Sequence, residues 1–200
     1  MIKKAVCKRC RRAGEKLMLK GERCLTPKCS FVRRSYPPGE HGLLRKRLTE
    51  FGRQLREKNK VREIYGLTDR QLKNYFKEAK KKGISLLQIL ETRLSNVVYR
   101  LGLASSRRKA RQLINHGHIK VNGKKVNIPS YRVKEGDVIE VKDPKSPLFS
   151  DVSDILKKRE TPPWLKFDLK SMRGEVLAFP KPEEIGENIE ERLIIEYYSK

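Results

Sequence analysis

The sequence predicts an α+β protein: a mostly helical body, a small inserted helix–helix–β-hairpin unit and an irregular, cysteine-bearing N-terminal segment. Three observations in the 200 residues predict it. Apolar residues recur at helical steps from Leu44 to Leu101 and again near the C-terminus, and one short stretch alternates as strands around Asn122-Gly123. All four cysteines fall between positions 7 and 29, in a region with few other buried-type side chains.

Residues 1–44 show no sustained periodicity and carry turn chemistry such as SYPPGEHG at 35–42, so they read as irregular and metal-organised. Cys7, Cys10, Cys24 and Cys29 are spaced C-x2-C-x13-C-x4-C. Two thiolate pairs on short knuckles can present four sulfurs to one tetrahedral ion, and a structural zinc ion fits best. Four thiolates on a divalent ion leave a net charge of about −2. Lys8, Arg9, Arg11, Arg12 and Lys28 would offset it and favour thiolate over thiol. An iron–sulfur cluster also takes four cysteines and is the alternative. Such a site is closed, so catalysis at the metal is not expected.

Leu44, Leu48, Phe51 and Leu55 follow helical spacing and define the apolar face of the next element, which Gly66 ends. In TDRQLKNYFKEAKKKG, Thr68 and Gln71 form a capping box. Leu72, Tyr75, Phe76 and Ala79 make the inner face there, and Gly83 stops the helix. ISLLQILETRLSNVVYRLG reads as one further helix up to Gly102. A serine cap at 105 or 106 then opens a short helix that buries Ala110, Leu113 and Ile114 and offers Arg107, Arg108, Arg111, Gln112 and Asn115 opposite. HIKV and KVNI form a hairpin about Asn122-Gly123, and DVIEV supplies another strand. Pro and Gly placement in WLKFDLKSMRGEVLAFP suggests a return to the helical lobe, completed by a helix near IEERLIIEYY that packs through Leu193, Ile194 and Tyr197. The expected domains are 1–42, the N-terminal segment; 43–90 with 156–200, the helical lobe; and 91–155, the inserted unit.

Lysine and arginine number 48 against 24 aspartate and glutamate, a net charge of +24 that points to a polyanionic partner. The surplus lies in residues 1–142, and the last twenty residues are acidic on balance. No secretory stretch opens the sequence and no apolar run approaches the ~18 residues of a membrane span, so a cytoplasmic protein without membrane contact is expected. Dinucleotide and phosphate-loop motifs are absent. His41, His116 and His118 sit in glycine-flanked, basic turns and read as packing or phosphate-contacting groups, so no enzyme is expected. A zinc-bearing DNA regulator is a competing class, but two helices packed on a small sheet hold guanidinium groups at the fixed spacing that bridges RNA phosphates.

RLSNVVYRLGLASSRRKARQLINHGHIKVNGKKVNIPSYRVKEGDVIEV resembles the S-four RNA-binding domain. SYPPGEHG, QLREKNKVREIYG and the WLKFD to ERLIIEYYSK ending are similar to the bacterial S-four ribosomal protein family itself, in its cysteine-containing, zinc-binding form. The resemblance implies a structural constituent of the small ribosomal subunit, a primary binder of 16S rRNA that nucleates assembly of the 5′ domain. It further implies a place beside ribosomal protein S-five, other small-subunit proteins and the messenger RNA where it enters, with an influence on translational accuracy. Carried across, the rRNA contacts are Arg107, Arg108, Arg111, Gln112, His116 and Asn122, with Arg93 and Arg100 on the preceding helix.

Overall fold

A computed structural model describes residues 5–44, 47–158 and 160–199; the first four residues of the expected N-terminal segment lie outside them. The chain divides into two compact units, Met1–Asn74 with Asn188–Lys200, and Tyr75–Glu187.

The first unit begins with α1 (Val6–Ala13), which Gly14 ends in the left-handed region at φ 77°. The expectation of an irregular segment is corrected here. Lys8, Arg9, Arg11 and Arg12 are good helix formers, and Val6, Cys10 and Ala13, at steps of four and three, make a short apolar stripe, so VCKRCRRA winds a helix. A 3-10 turn at Gly21–Cys24 and α2 (Ser30–Arg33) follow. The long helix α3 (Glu50–Tyr65) is capped by Thr49, whose hydroxyl accepts from the Gly52 amide at 3.1 Å.

The apolar face expected on α3 is not the buried one. Leu44 precedes the helix and Phe51 is half exposed; Val61, Ile64 and Tyr65 are buried, with the stems of Gln54, Lys58 and Lys60. Too few aliphatic side chains are available, so long amphipathic ones cover the interface. The partner is the C-terminal helix α9 (Glu191–Ser199). Its Ile194 is fully buried, Tyr197 stacks on Phe51 at 5.6 Å, and Gln54 donates to Glu196 at 3.1 Å. Lys58 lies 4.8 Å over the Tyr197 ring.

The boundary between units falls inside α4 (Asp69–Lys82), which opens on the expected capping box: the Gln71 amide donates to Thr68 Oγ1 and the Thr68 amide to Gln71 Oε1.

In the second unit the single helix expected over 84–101 is two, α5 (Leu86–Glu91) and α6 (Leu94–Arg100). Apolar spacing runs through the break, but the backbone at 92–95 is claimed by another segment. Val133 donates to the Thr92 carbonyl at 3.0 Å, Leu94 to Tyr131 at 2.8 Å and Ser95 to Pro129 at 3.2 Å. Then come α7 (Arg107–Asn115), capped by Ser106, and β1 (Ile119–Val121), β2 (Lys124–Lys125) and β3 (Val138–Val141). Asn122 and Gly123, with φ 50° and 76°, make the tight turn between β1 and β2. Of KVNI only Lys125 lies in β2, beside Lys124, and the Val126 amide adds one bond to the Ile119 carbonyl at 3.2 Å.

After α8 (Val152–Lys158), β4 (Leu165–Asp168) and β5 (Arg173–Val176) form a second hairpin, and the antiparallel sheet runs β2-β1-β3-β5-β4. Because β5 pairs with β3, WLKFDLKSMRGEV belongs to this unit, and only 188–200 join the first. One core, from Leu94 to Val176, lies between sheet and helices and includes Leu101, Ile114, Ile139 and Trp164. Gly174 on β5 admits it: a Cβ there would sit 2.5 Å from Leu101 Cδ1.

Candidate nucleic-acid interface

The eight side chains carried over as RNA contacts fall into two groups. Arg108, Arg111, Gln112 and His116 are exposed along α7 and its C-cap. Lys124 and Lys125 are exposed on the adjoining hairpin, and the His116 and His118 rings lie 6.2 Å apart. Ala110, Leu113 and Ile114 anchor the helix from beneath, so the outward groups stand on a rigid base.

Arg93, Arg100, Arg107 and Asn122 are engaged within the protein. Glu91, with no exposed surface, accepts from Arg100 at 2.9 and 3.0 Å and from Asn96 at 2.6 Å. Arg107 donates to Asn96 at 2.7 Å and to Glu187 at 2.6 Å, and lies 4.4 Å over the Tyr99 ring. Arg100 also donates to the Ile185 carbonyl at 2.6 Å. Burial opposes the charge on Arg100, but Glu91 outweighs it and holds the guanidinium above its ordinary value. Arg93 is buried against Tyr75, to whose hydroxyl it donates, and desolvation pulls its proton affinity down. Asn122 locks the turn: its Nδ2 donates to Asp137 and its Oδ1 accepts from the Val138 amide, both at 2.8 Å.

Sequence reasoning missed Glu91 and Glu187. A signal existed for the first, since Glu91 is the only acidic residue between Glu78 and Glu135. A lone carboxylate in so basic a stretch is where several guanidinium groups converge.

The cysteines converge as well. Cys10, Cys24 and Cys29 are buried, Cys7 partly so, and none is in a disulfide. Burial pushes the Cys10 thiol up from its ordinary value, and the nearby thiols of Cys24, Cys7 and Cys29 push it the same way. The Lys20 amide points at Cys24 Sγ from 3.4 Å, as backbone groups do when they steady a ligating sulfur. The donor chemistry therefore fits zinc. Among the described residues no group of three or more His, Cys, Asp or Glu side chains is set to hold a metal ion. The expectation of a metal-bound segment thus stands on donor chemistry alone.

No helix among the described residues is long and apolar enough to cross a membrane. Two family models match the chain, the "Ribosomal protein S4/S9 N-terminal domain" over residues 1–92 and the "S4 domain" over 92–139. The chain is 56% identical over 201 residues to small ribosomal subunit protein uS4 of Halothermothrix orenii, covering 98% of this chain and 97% of that one. It is 55% identical to the protein of the same name from Acetivibrio thermocellus and 50% identical to that of Dictyoglomus turgidum, with 97% or more of this chain and 96% or more of each relative covered.

Proposed function

This chain belongs to the uS4 family of small ribosomal subunit proteins, and from that premise we propose that it docks on 16S rRNA at many points and nucleates folding of the RNA's 5′ domain. As a member of that family it is a structural constituent of the ribosome in the cytoplasm, not an enzyme. The single observation that carries the docking reading is the exposed cationic row on α7, set on a buried aliphatic base.

Arg108, Arg111, Gln112 and His116 touch the RNA. Arg93, Arg100, Arg107 and Asn122 serve the same surface by holding its scaffold. Neutralised phosphates release counterions and supply affinity, while the shape of the RNA supplies selectivity. The acidic stretch near the C-terminus suits protein neighbours such as ribosomal protein S-five, with messenger RNA and an influence on accuracy close by. Binding of 5′-domain 16S rRNA and of duplex DNA, compared at one physiological salt concentration, tests the reading. RNA should win, and Arg108→Ala with Arg111→Ala should weaken RNA binding and reduce its salt slope by about 2. Equal affinity for both nucleic acids, or an unchanged slope, would sink it.

Cys7, Cys10, Cys24 and Cys29 would hold zinc, with an iron–sulfur cluster as the alternative ligand of the same four thiols. Held there, an ion would cross-link α1, the turn at 21–24 and the start of α2, and so would fix the surrounding cations.

A further inference from the structure

A cavity of about 830 Å³ opens between α1 and α3 in the first unit, within the ~300–1,000 Å³ of ordinary small-ligand sites. Ala13, Leu17 and Leu55 give it an apolar floor, and Lys8, Arg12 and Arg56 a cationic rim.

The rim cations differ from the other basic residues around them. Arg9 and Arg62 meet Glu63, Arg62 also reaches Asp69, and Lys60 is held by Glu15 at 2.7 Å and Glu57 at 3.2 Å. Among the described residues no carboxylate pairs with Lys8, Arg12 or Arg56. The buried Nε of Arg9, on the same wall, also has no acceptor.

Three uncompensated cations around a concavity call for an anion, but a bare phosphate makes no use of an apolar floor. A nucleotide uses both. A paired A-form helix keeps its bases inside, whereas loops, bulges and junctions can turn one out, to be stacked on arginine planes and apolar side chains. We propose that this cleft receives one unstacked nucleotide of the bound RNA, its phosphate on Lys8, Arg12 and Arg56 and its base against Ala13, Leu17 and Leu55. The proposal rests on the RNA-binding reading above and adds a second kind of contact to it. The α7 face grips backbone by charge, while the cleft takes in a base.

Base-specific chemical probing of 5′-domain 16S rRNA, bound to the full chain at fixed salt, tests it. The unsubstituted chain should protect one unpaired base, or two adjacent ones, that loses protection when Ala13→Phe fills the cavity. That variant should bind about tenfold more weakly, from lost stacking, with an unchanged salt slope because no charge is removed. Arg12→Ala with Arg56→Ala, both at the surface, should lose the same protection and flatten the slope by about 1, for the one phosphate they share. Arg108→Ala with Arg111→Ala should leave that base protected.

A full set of protections and full affinity in both cleft variants would overturn the proposal. So would adenosine monophosphate binding the cleft as tightly as the RNA does, which would assign it to a free nucleotide. If the unsubstituted chain protected no RNA at all, the RNA-binding reading itself would fail; a footprint indifferent to the cleft variants would remove only the cleft.

Discussion

Residues 5–44 bury Leu17, Leu19 and three cysteines, whereas residues 94–141 bury a continuous set of aliphatic side chains from Leu94 to Val141, although both regions turn arginine and lysine outward. Crowded cations repel, so each region needs something that holds them in place. In the module it is aliphatic packing, reinforced by a buried ion cluster at Glu91. In the N-terminal segment the corresponding buried positions are largely sulfur, and partly buried ion pairs such as Arg9–Glu63 and Lys60–Glu15 tie it to α3. A polycationic surface can thus rest on hydrophobic burial or, as proposed for the N-terminal segment, on four thiols that would hold a zinc ion.

The largest expected effect removes the cation. With zinc bound and then stripped by a chelator, residues 5–44 should become protease-sensitive, a loss on the scale of the ~10 kcal/mol of a structural zinc. The module's melting transition should stay where it was. Mass-spectrometric mapping of the cleavage sites checks this, and a segment still protected without metal would break the comparison.

Next is Glu91→Ala, which leaves Arg100 without its buried partner and should cost about 3–5 kcal/mol in denaturant unfolding. Ile139→Ala, at a fully buried position in the sheet, should cost about 2–5 kcal/mol. If Ile139→Ala proved neutral, the module would stand on its ion cluster and the contrast with the N-terminal segment would shrink.

The smallest effect concerns pH. Arg132, bonded in a fork to Glu78, and then Lys82 hold that carboxyl down at about 2, against an ordinary 4.5. A depressed carboxyl stabilises fully above its unfolded value, so this contribution should be complete above about pH 4.5 and fade as pH falls toward 2. Solvent screening keeps it below ~1 kcal/mol. Acid titration of Glu78→Gln should show that portion of the acid sensitivity gone; an unaltered acid limb would remove the pair from the account.

Local chemistry made much of the fold legible. The Thr68–Gln71 box, Ser106 before α7 and the Asn122-Gly123 turn all lie where side chain and backbone together leave few alternatives. Ile194 is buried as the C-terminal periodicity required, with Leu193 and Tyr197 half-buried beside it.

What stayed hidden is decided by partners far along the chain. The break at Thr92–Arg93 is made by Pro129, Tyr131 and Val133, and the placement of β5 is made by β3. The candidate interface follows the same rule. Spacing alone marked Arg107 and Arg108 alike, yet Arg107 turns to Glu187 and Asn96 while Arg108 faces out. Adjacent helix positions point about 100° apart, and which direction is inward is settled by residues eighty positions away.

The close approach of Leu101 to Gly174 bears on how portable the module is. A fragment cut just after Val141 would retain the residues matched by the S4 domain model and lose the strand paired along β3. The cut would bare a row of hydrogen-bonding groups on β3 and wet the side of Leu101 that Gly174 now covers. A graft meant to carry RNA-binding ability into another protein should therefore extend to Val176, because the ladder, rather than the span of sequence similarity, marks where this piece can be lifted out whole.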